Sequence, residues 1–258
     1  MRTQGNAPRR LLRAKRTTGL LPLLALLLAA CSKENEAGCF TSTGSIVTER
    51  RSLPPFNQLT TYDNVQVTLV QDTATYAEVK AGKNLQEDIR LTVENGHLTV
   101  RNTSRCNWVR RYDTPREVTL HVPRLHGLWL WGQADIRTQG TFRADTIFYH
   151  LTGSGNYDLT VDSRYLWLDQ YELGDIRVRG RADELHLTVG GKGSTYAQGL
   201  TARTADFRTN QFSTGNAHLT VTELLSGIHA SLGTIFYRPA PTLRTEVQVT
   251  GKGKMQAE

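Results

Sequence analysis

The chain from residue 128 to residue 255 repeats a short pattern in which a small residue, usually glycine, interrupts an alternating apolar run. The seven copies are LWLWGQADI (128–136), YHLTGSGNY (149–157), DQYELGDI (169–176), TVGGKGST (188–195), QFSTGNAHL (211–219), HASLGTI (229–235) and QVTGKGKM (248–255). Their small residues, separated by 21, 19, 19, 22, 18 and 20 residues, are Ala134, Gly155, Gly174, Gly193, Gly215, Gly233 and Gly253. A period of about twenty residues held over seven copies indicates a solenoid with one coil per copy.

Apolar residues stand at even offsets from each small residue, and the odd offsets are mostly polar. Around Gly155, for example, the even offsets hold Tyr149, Leu151, Tyr157 and Leu159. This period of two is typical of strands that bury one face. A single coil cannot bury its own face, so successive coils stack and pair in parallel. The sequence therefore predicts an all-β protein with a parallel β-solenoid of about seven coils, and right-handed crossovers are the default for such connections.

Three polar residues interrupt the apolar pattern four positions before the small residue: Gln170, Gln211 and His229. Two arrangements are compatible with them, namely a local bulge that turns the side chain outward or a polar ladder inside the stack. Leaving a buried amide unpaired costs about 1–3 kcal/mol. We therefore expect bulges at these positions.

Residues 43–125 carry strand patterns without the twenty-residue period. Residues 65–70 and 118–122 alternate, and Asn95-Gly96 between two alternating runs is a strong hairpin signal. We expect this segment to form an irregular N-terminal β portion that continues into the solenoid, residues 126–258, without a linker. Together they form one β domain over residues 43–258.

The first thirty residues have the features of a bacterial lipoprotein signal peptide. A basic segment precedes an apolar run, residues 20–30, that is too short to cross a bilayer as a helix. The run ends in Leu28-Ala29-Ala30-Cys31, which resembles the lipobox, so Cys31 is predicted to carry the lipid and to begin the mature chain. We expect residues 31–42 to form a lipidated tether. Ser32-Lys33-Glu34 within it resembles the signal that sends Bacteroidetes lipoproteins to the outer face of the outer membrane.

Removal of this segment changes the charge of the protein. The whole chain has 31 Lys and Arg and 24 Asp and Glu, and six of the basic residues lie in residues 1–30. The mature chain then has 31 − 6 = 25 basic residues and a net charge near +1. We expect no nucleic-acid partner, since that function needs a basic patch on the mature domain.

Two cysteines remain after lipidation of Cys31. In the oxidising cell envelope, Cys39 and Cys106 are predicted to form a disulfide bond, and two unpaired thiols are the alternative. Two cysteines without spaced partners do not suggest a metal site. The glycine pairs match neither a dinucleotide fingerprint nor a phosphate-binding loop, so we expect no cofactor.

Several elements of the chain resemble a known bacterial family. They are residues 51–56 before a strand, the alternating strands through Val70 and Ala81, Asn84-Leu85 before a hairpin, the glycine-punctuated coils such as residues 151–156, and residues 235–239. Together they resemble the family named "putative auto-transporter adhesin, head GIN domain", over about residue 43 to the C-terminus. The sequence departs from the glycine pattern at Glu172, Ser213 and Ser231. The resemblance implies an all-β fold with a parallel solenoid on secreted or lipid-anchored proteins, adhesion as the named role, and no catalytic residues to assign.

Acidic residues offer one catalytic alternative. Asp135, Asp158 and Asp175 recur at small offsets after the small residue, and clustered carboxylates are what glycoside hydrolysis requires. In a parallel stack, however, Arg137, Asp158 and Arg177 occupy like offsets about 4.8 Å apart. We therefore favour an exposed charge ladder of little energetic value.

Aromatic residues offer a candidate ligand face. Trp129 and Trp131 alternate with buried leucines and should point outward, and Tyr171 and Phe212 share the offset of Trp131. Such a strip could stack on sugars or meet a protein, or it could pack under the N-terminal portion near Trp108.

These features lead us to expect a non-enzymatic, lipid-anchored protein of the outer membrane, either surface-exposed or facing the periplasm. It would contact the membrane through its lipid and bind a carbohydrate or a protein. The alternatives are a carbohydrate-active β-helix enzyme, a lyase or glycosidase, and a structural or sensing module of the envelope.

Overall fold

A computed structural model describes residues 42–104 and 114–258, and these form an all-β solenoid with an irregular N-terminal sheet portion, as predicted. One short 3₁₀-helix, Lys83–Asp88, accompanies the strands. The strands are β1 Ile46–Ser52, β2 Gln58–Thr61, β3 Gln66–Gln71, β4 Tyr76–Gly82, β5 Ile89–Glu94, β6 His97–Asn102, β7 Arg116–Val122, β8 Gly127–Leu130, β9 Ile136–Gln139, β10 Phe142–Leu151, β11 Tyr157–Gln170, β12 Ile176–Val189, β13 Thr195–Thr209, β14 Ala217–His229, β15 Thr234–Arg238, β16 Arg244–Val249 and β17 Lys254–Ala257.

Strands of successive coils pair in parallel in the register that the period of about twenty residues predicts. Along β11 and β12, Tyr157 pairs with Ile176 and Leu168 pairs with Leu187. The inward side chains of each coil therefore lie on those of the next and form one continuous apolar core. At the C-terminal end, β16 pairs with β14 and β17 pairs with β15.

The small residues that define the repeat stack on one another at one corner. A Cβ atom added to Gly174 would overlap the carbonyl oxygen of Gly155, and one added to Gly193 would overlap the carbonyl oxygen of Gly174. The same overlap recurs up the column at Gly215, Gly233 and Gly253. Glycine is required here because the coils approach closely, which explains why the repeat is punctuated by glycine.

Two N-terminal strands extend the stack out of chain order. β2 pairs in parallel with β8 on one side and with β6 on the other, so Leu59 lies between Leu128 and Leu98. β3 pairs in the same way with β9 and β7. The antiparallel strands β1, β4 and β5 then border this end, with the β5–β6 hairpin turning at Asn95 and Gly96, both at positive φ.

The prediction that bulges turn the interrupting polar residues outward is wrong for two of the three. Gln170 and His229 are buried inside the stack. The Gln170 amide nitrogen donates to the carbonyl oxygens of Tyr171, Glu172 and Gly174, at 3.3, 3.3 and 3.0 Å, so the buried amide is not unpaired. Gln211 is exposed in a longer corner, and Thr209 takes the inward place in that coil.

Replacing Tyr149 with phenylalanine is expected to leave stability unchanged or to raise it. Tyr149 is fully buried, and its hydroxyl has no hydrogen-bond partner among the described residues. Removing a buried, unpaired polar group recovers up to about 1–3 kcal/mol. Tyr157→Phe is the matched comparison, because the Tyr157 hydroxyl donates to the carbonyl oxygen of His150 at 2.8 Å. Urea unfolding should rank Tyr149→Phe above Tyr157→Phe, and the reverse order would contradict the assignment.

His229 is expected to make the fold less stable in mild acid. Burial lowers the pKa of His229, against a smaller opposing effect of nearby backbone carbonyl groups, and its Nδ1 lies 3.2 Å from the Thr209 hydroxyl. Below about pH 6.5, the usual histidine pKa, the unfolded chain takes up a proton that the folded chain resists. Stability is therefore retained above that pH and is lost as the pH falls through it.

The check is urea unfolding of the wild type and of His229→Gln at pH 7.5 and pH 5.5. The substitution should reduce the loss of stability between the two pH values. His126→Gln, at an exposed ring, should leave that loss as in the wild type. An equal pH dependence in wild type and His229→Gln would show that another group is responsible.

Two sequence predictions about the cysteines fall outside the described residues: the lipidation of Cys31 and the disulfide between Cys39 and Cys106. Within the described ranges, no helix is both long enough and apolar enough to span a bilayer.

Candidate functional site

The Asp, Asn and Ser residues that follow the corner glycines form a polar ladder along the stack. Asp135 accepts from the backbone N–H of Asn156 at 2.8 Å, and Asn156 accepts from that of Asp175 at 2.9 Å. The ladder continues through Ser194 and Asn216. Each side chain thus satisfies the backbone of the next coil, which is a structural role.

This ladder weakens the carboxylate alternative. Asp135 and Asp175 are engaged by backbone N–H groups, and Asp158 forms an ion pair with Arg179. A glycosidase needs two carboxylates that are free to act on opposite sides of one bond. The geometry of the three acids does not provide such a pair.

The predicted charge ladder has the expected register but different contacts. Asp158 pairs along the strands with Arg137 on one side and Arg177 on the other. Arg137 donates to the Thr68 hydroxyl at 3.0 Å, and Arg177 lies 3.3 Å from the carboxylate of Asp175. Arg137, Asp158 and Arg177 are all exposed, so their ion pairs add little stability.

The four residues of the predicted ligand face do not form one strip. Trp129 is half-buried and stacks between His97 and His150, with ring centroids 5.8 and 5.4 Å away. Trp131 is 54% exposed. Tyr171 lies two coils further along the same corner, and Phe212, 84% exposed, sits in the longer corner that also holds Gln211.

Four further rings on the same outward face were missed by the sequence analysis. Phe148, Trp167 and His186 lie on three successive coils, with centroids 5.8 and 4.8 Å apart, and His150 stacks on Trp129 with an interplanar angle of 5°. We call Trp129, Phe148, His150, Trp167 and His186 the ring face. The repeat itself could have revealed these rings, because they recur five or seven positions before the small residue of their coil.

Trp167 is held in one orientation by its neighbours. Its indole nitrogen donates to Asp169 Oδ1 at 2.9 Å, while His150 Nδ1 lies 2.6 Å from Asp169 Oδ2. Burial would raise the pKa of Asp169, but hydrogen bonds from His150, Thr188 and Trp167 outweigh it and hold that pKa below its usual value. Asp169 therefore stays ionised and anchors Trp167, whose ring remains 39% exposed.

A groove opens beside this anchored indole. Its lining comes from three successive coils: Trp167, Asp169 and Tyr171 from the first, His186 and Thr188 from the second, and Asp206 and Arg208, which we call the rim, from the third. Its volume is about 430 Å³. We call it the ring groove. Burial and the charge of Asp169 raise the pKa of Tyr171, so its hydroxyl stays protonated.

The rim of the ring groove carries two charged side chains. Asp206 accepts from the Ser226 hydroxyl at 3.0 Å through one carboxylate oxygen. Arg208 is exposed two residues further along the same strand, with no ion pair among the described residues. The groove thus presents a donor, an acceptor and two aromatic walls. No cluster of three or more His, Cys, Asp or Glu side chains suited to a metal ion occurs in residues 42–104 or 114–258.

The fold and the ring groove define a class of protein, a β-solenoid with a ligand-sized depression on its outward face. The chain belongs to the family described as "Putative auto-transporter adhesin, head GIN domain", whose model matches residues 55–241. A search of curated proteins found no match.

Several solved structures share this fold. A putative adhesin from Bacteroides fragilis is 19% identical, with a TM-score of 0.72 over 83% of this chain and 97% of the other. A putative adhesin from Parabacteroides merdae is 17% identical, with a TM-score of 0.60 over 84% and 98%. A putative lipid binding protein from Parabacteroides distasonis is 18% identical, with a TM-score of 0.62 over 83% and 98%.

Proposed function

We propose that this protein is a lipid-anchored, non-enzymatic component of the bacterial cell envelope that binds a ligand through the ring groove. The family and the structural neighbours described as adhesins support a role in binding at the cell envelope. The observation that carries the proposal is the anchored Trp167. A ring that is already fixed loses little conformational entropy when a ligand covers it.

The N-terminal sequence supports the proposed anchor. Cys31 ends a lipobox-like segment, and Ser32-Lys33-Glu34 follows it. One acyl chain gives marginal membrane binding at about 0.8 kcal/mol per buried methylene, whereas a lipoprotein cysteine carries several chains. We place the solenoid on the outer face of the outer membrane, where a groove on its side can reach ligands outside the cell.

Labelling of intact cells tests this placement. An antibody against the mature chain should label intact cells that express the wild type as strongly as lysed cells. Cys31→Ser should abolish metabolic incorporation of palmitate into the chain and release it from the membrane fraction. Labelling only after lysis would place the groove in the periplasm and remove the adhesin role, and unchanged palmitate incorporation would refute the anchor at Cys31.

The enzyme alternative has less support. Its best candidates, Asp135, Asp158 and Asp175, are engaged by backbone or by Arg179. Asp169 in the ring groove is committed to His150 and Trp167. Its pKa is lowered, whereas a general acid in glycoside hydrolysis needs a raised one.

A further inference from the structure

We propose that the ring groove binds a short segment of a carbohydrate chain, with sugar rings packed against the exposed parts of Trp167 and Tyr171 and hydroxyl groups bonded to Asp206 and Arg208. This deepens the binding role proposed above and rests on it. The two rings and the two charged side chains come from coils on either side of β12, so the site exists only in the stacked fold.

The spacing of the two aromatic walls suits a chain of sugars. Trp167, Asp169 and Tyr171 stand at alternate positions along one coil, so all three side chains point to the outward side. At about 3.3 Å per residue, four residues separate the two rings by about 13 Å along the strand. That span leaves room for a disaccharide between or over the rings. The volume of about 430 Å³ is in the range of small-ligand sites.

The polar groups match the chemistry of sugar hydroxyls, each of which can donate and accept. Asp206 has a carboxylate oxygen that no described side chain engages, beside the one that Ser226 bonds. Arg208 supplies several N–H donors in a fixed plane and has no competing ion pair among the described residues. An acceptor and a planar donor two residues apart can hold neighbouring hydroxyls. Bonds to charged groups are stronger than those between neutral groups.

The anchoring of the indole supports contact with a sugar. His186 covers one side of the Trp167 ring at 4.8 Å, and Phe148 lies on the other side at 5.8 Å. The indole nitrogen also donates to Asp169 Oδ1 at 2.9 Å. Both sides of the indole are thus flanked by rings, and the part of Trp167 that these rings leave uncovered, 39% of the residue, is held in place for contact with the apolar C–H side of a sugar.

An acyl chain fits the groove less well than a sugar. It would bury Asp206 and Arg208 against hydrocarbon without partners, and burying an unpaired charged group is costly. A sugar covers the rings with its C–H groups and bonds the same charges with its hydroxyls.

Binding to a glycan array, followed by calorimetric titration of the strongest oligosaccharide, tests the proposal on the full-length lipoprotein in detergent. The wild type should bind at least one oligosaccharide. Trp167→Leu and, independently, Arg208→Gln should each weaken that binding by about tenfold or more. Tyr196→Leu is the matched control, because Tyr196 is a stacked ring on a different part of the coil. The affinity of this variant for the oligosaccharide should equal that of the wild type.

Two results would overturn the carbohydrate proposal: no oligosaccharide bound by the wild type, or binding that survives both Trp167→Leu and Arg208→Gln. Circular dichroism excludes a folding defect, and Arg208→Gln removes no described ion pair. If host-surface binding depends on Trp167 while no oligosaccharide binds, the ligand is a protein and the proposed function stands. If oligosaccharides bind in the groove but intact cells are not labelled, the sugar proposal stands and the surface location fails.

Discussion

Replacing Gly174 with alanine is expected to lower the free energy of unfolding by about 3 kcal/mol or more, the upper end of what overpacking usually costs. The new Cβ would overlap the carbonyl oxygen of Gly155 and lie 3.0 Å from Leu151 Cδ2. The first of these atoms is backbone and cannot rotate away, so two coils must separate locally. Strand pairing on both sides of the corner would be weakened.

The matched control is Gly140→Ala. Gly140 has a positive φ of 75°, yet an added Cβ there meets nothing within 4 Å. That substitution should cost about 1 kcal/mol, from backbone conformation alone. For a domain of this size the two changes should lower the melting temperature by about 6–12 °C and 2–4 °C, respectively. A similar loss in both variants would mean that close approach of the coils is not what requires glycine at Gly174.

Replacing Gln170 with leucine is expected to destabilise the fold by about 2 kcal/mol, although leucine is the more apolar residue. The Gln170 amide donates to the Gly174 carbonyl oxygen at 3.0 Å, and its oxygen accepts from the Gly191 backbone N–H at 3.3 Å. A leucine side chain cannot form hydrogen bonds, so the Gly174 carbonyl and the Gly191 N–H would lose the Gln170 side chain as a partner inside the stack. The penalty of those unpaired groups outweighs the gain from burying a leucine side chain.

Gln211→Leu provides the control, because Gln211 stands at the same sequence offset but is exposed. Urea unfolding should place it within about 0.5 kcal/mol of the wild type. Equal stability of Gln170→Leu and the wild type would indicate that the interior tolerates an apolar corner and that the amide contacts contribute nothing.

The register of the coils could be predicted from the sequence because successive coils approach so closely at one corner that only glycine fits there. The carbonyl of one coil excludes any side chain at Gly174 and its equivalents, so the contact leaves a glycine at a fixed interval. The N-terminal part of the stack left no such signal. Thr60 pairs with Thr99 and with Trp129, at sequence separations that differ from twenty residues, so periodicity cannot find them.

The inward position of Gln170 could not be predicted, because it depends on where backbone carbonyls of the corner point. A buried amide is costly only when it is unpaired, and the sequence does not show its partners. Trp131, which the alternation predicts to point outward, is 54% exposed, and Phe212 at the same offset is 84% exposed. The ring groove could not be predicted from the pattern of a single coil. Trp167 and Asp206 belong to different coils and line one groove only when the coils are stacked.

The most direct test of the binding role compares adherence of cells that display the wild type with cells that display Trp167→Leu at equal surface amounts. The assay would use fixed panels of host cells, matrix proteins and polysaccharides, with Tyr196→Leu as control. Adherence should fall to the level of cells without the protein for Trp167→Leu and remain at the wild-type level for Tyr196→Leu. Wild-type adherence by cells that display Trp167→Leu would contradict the assignment of ligand binding to the ring groove.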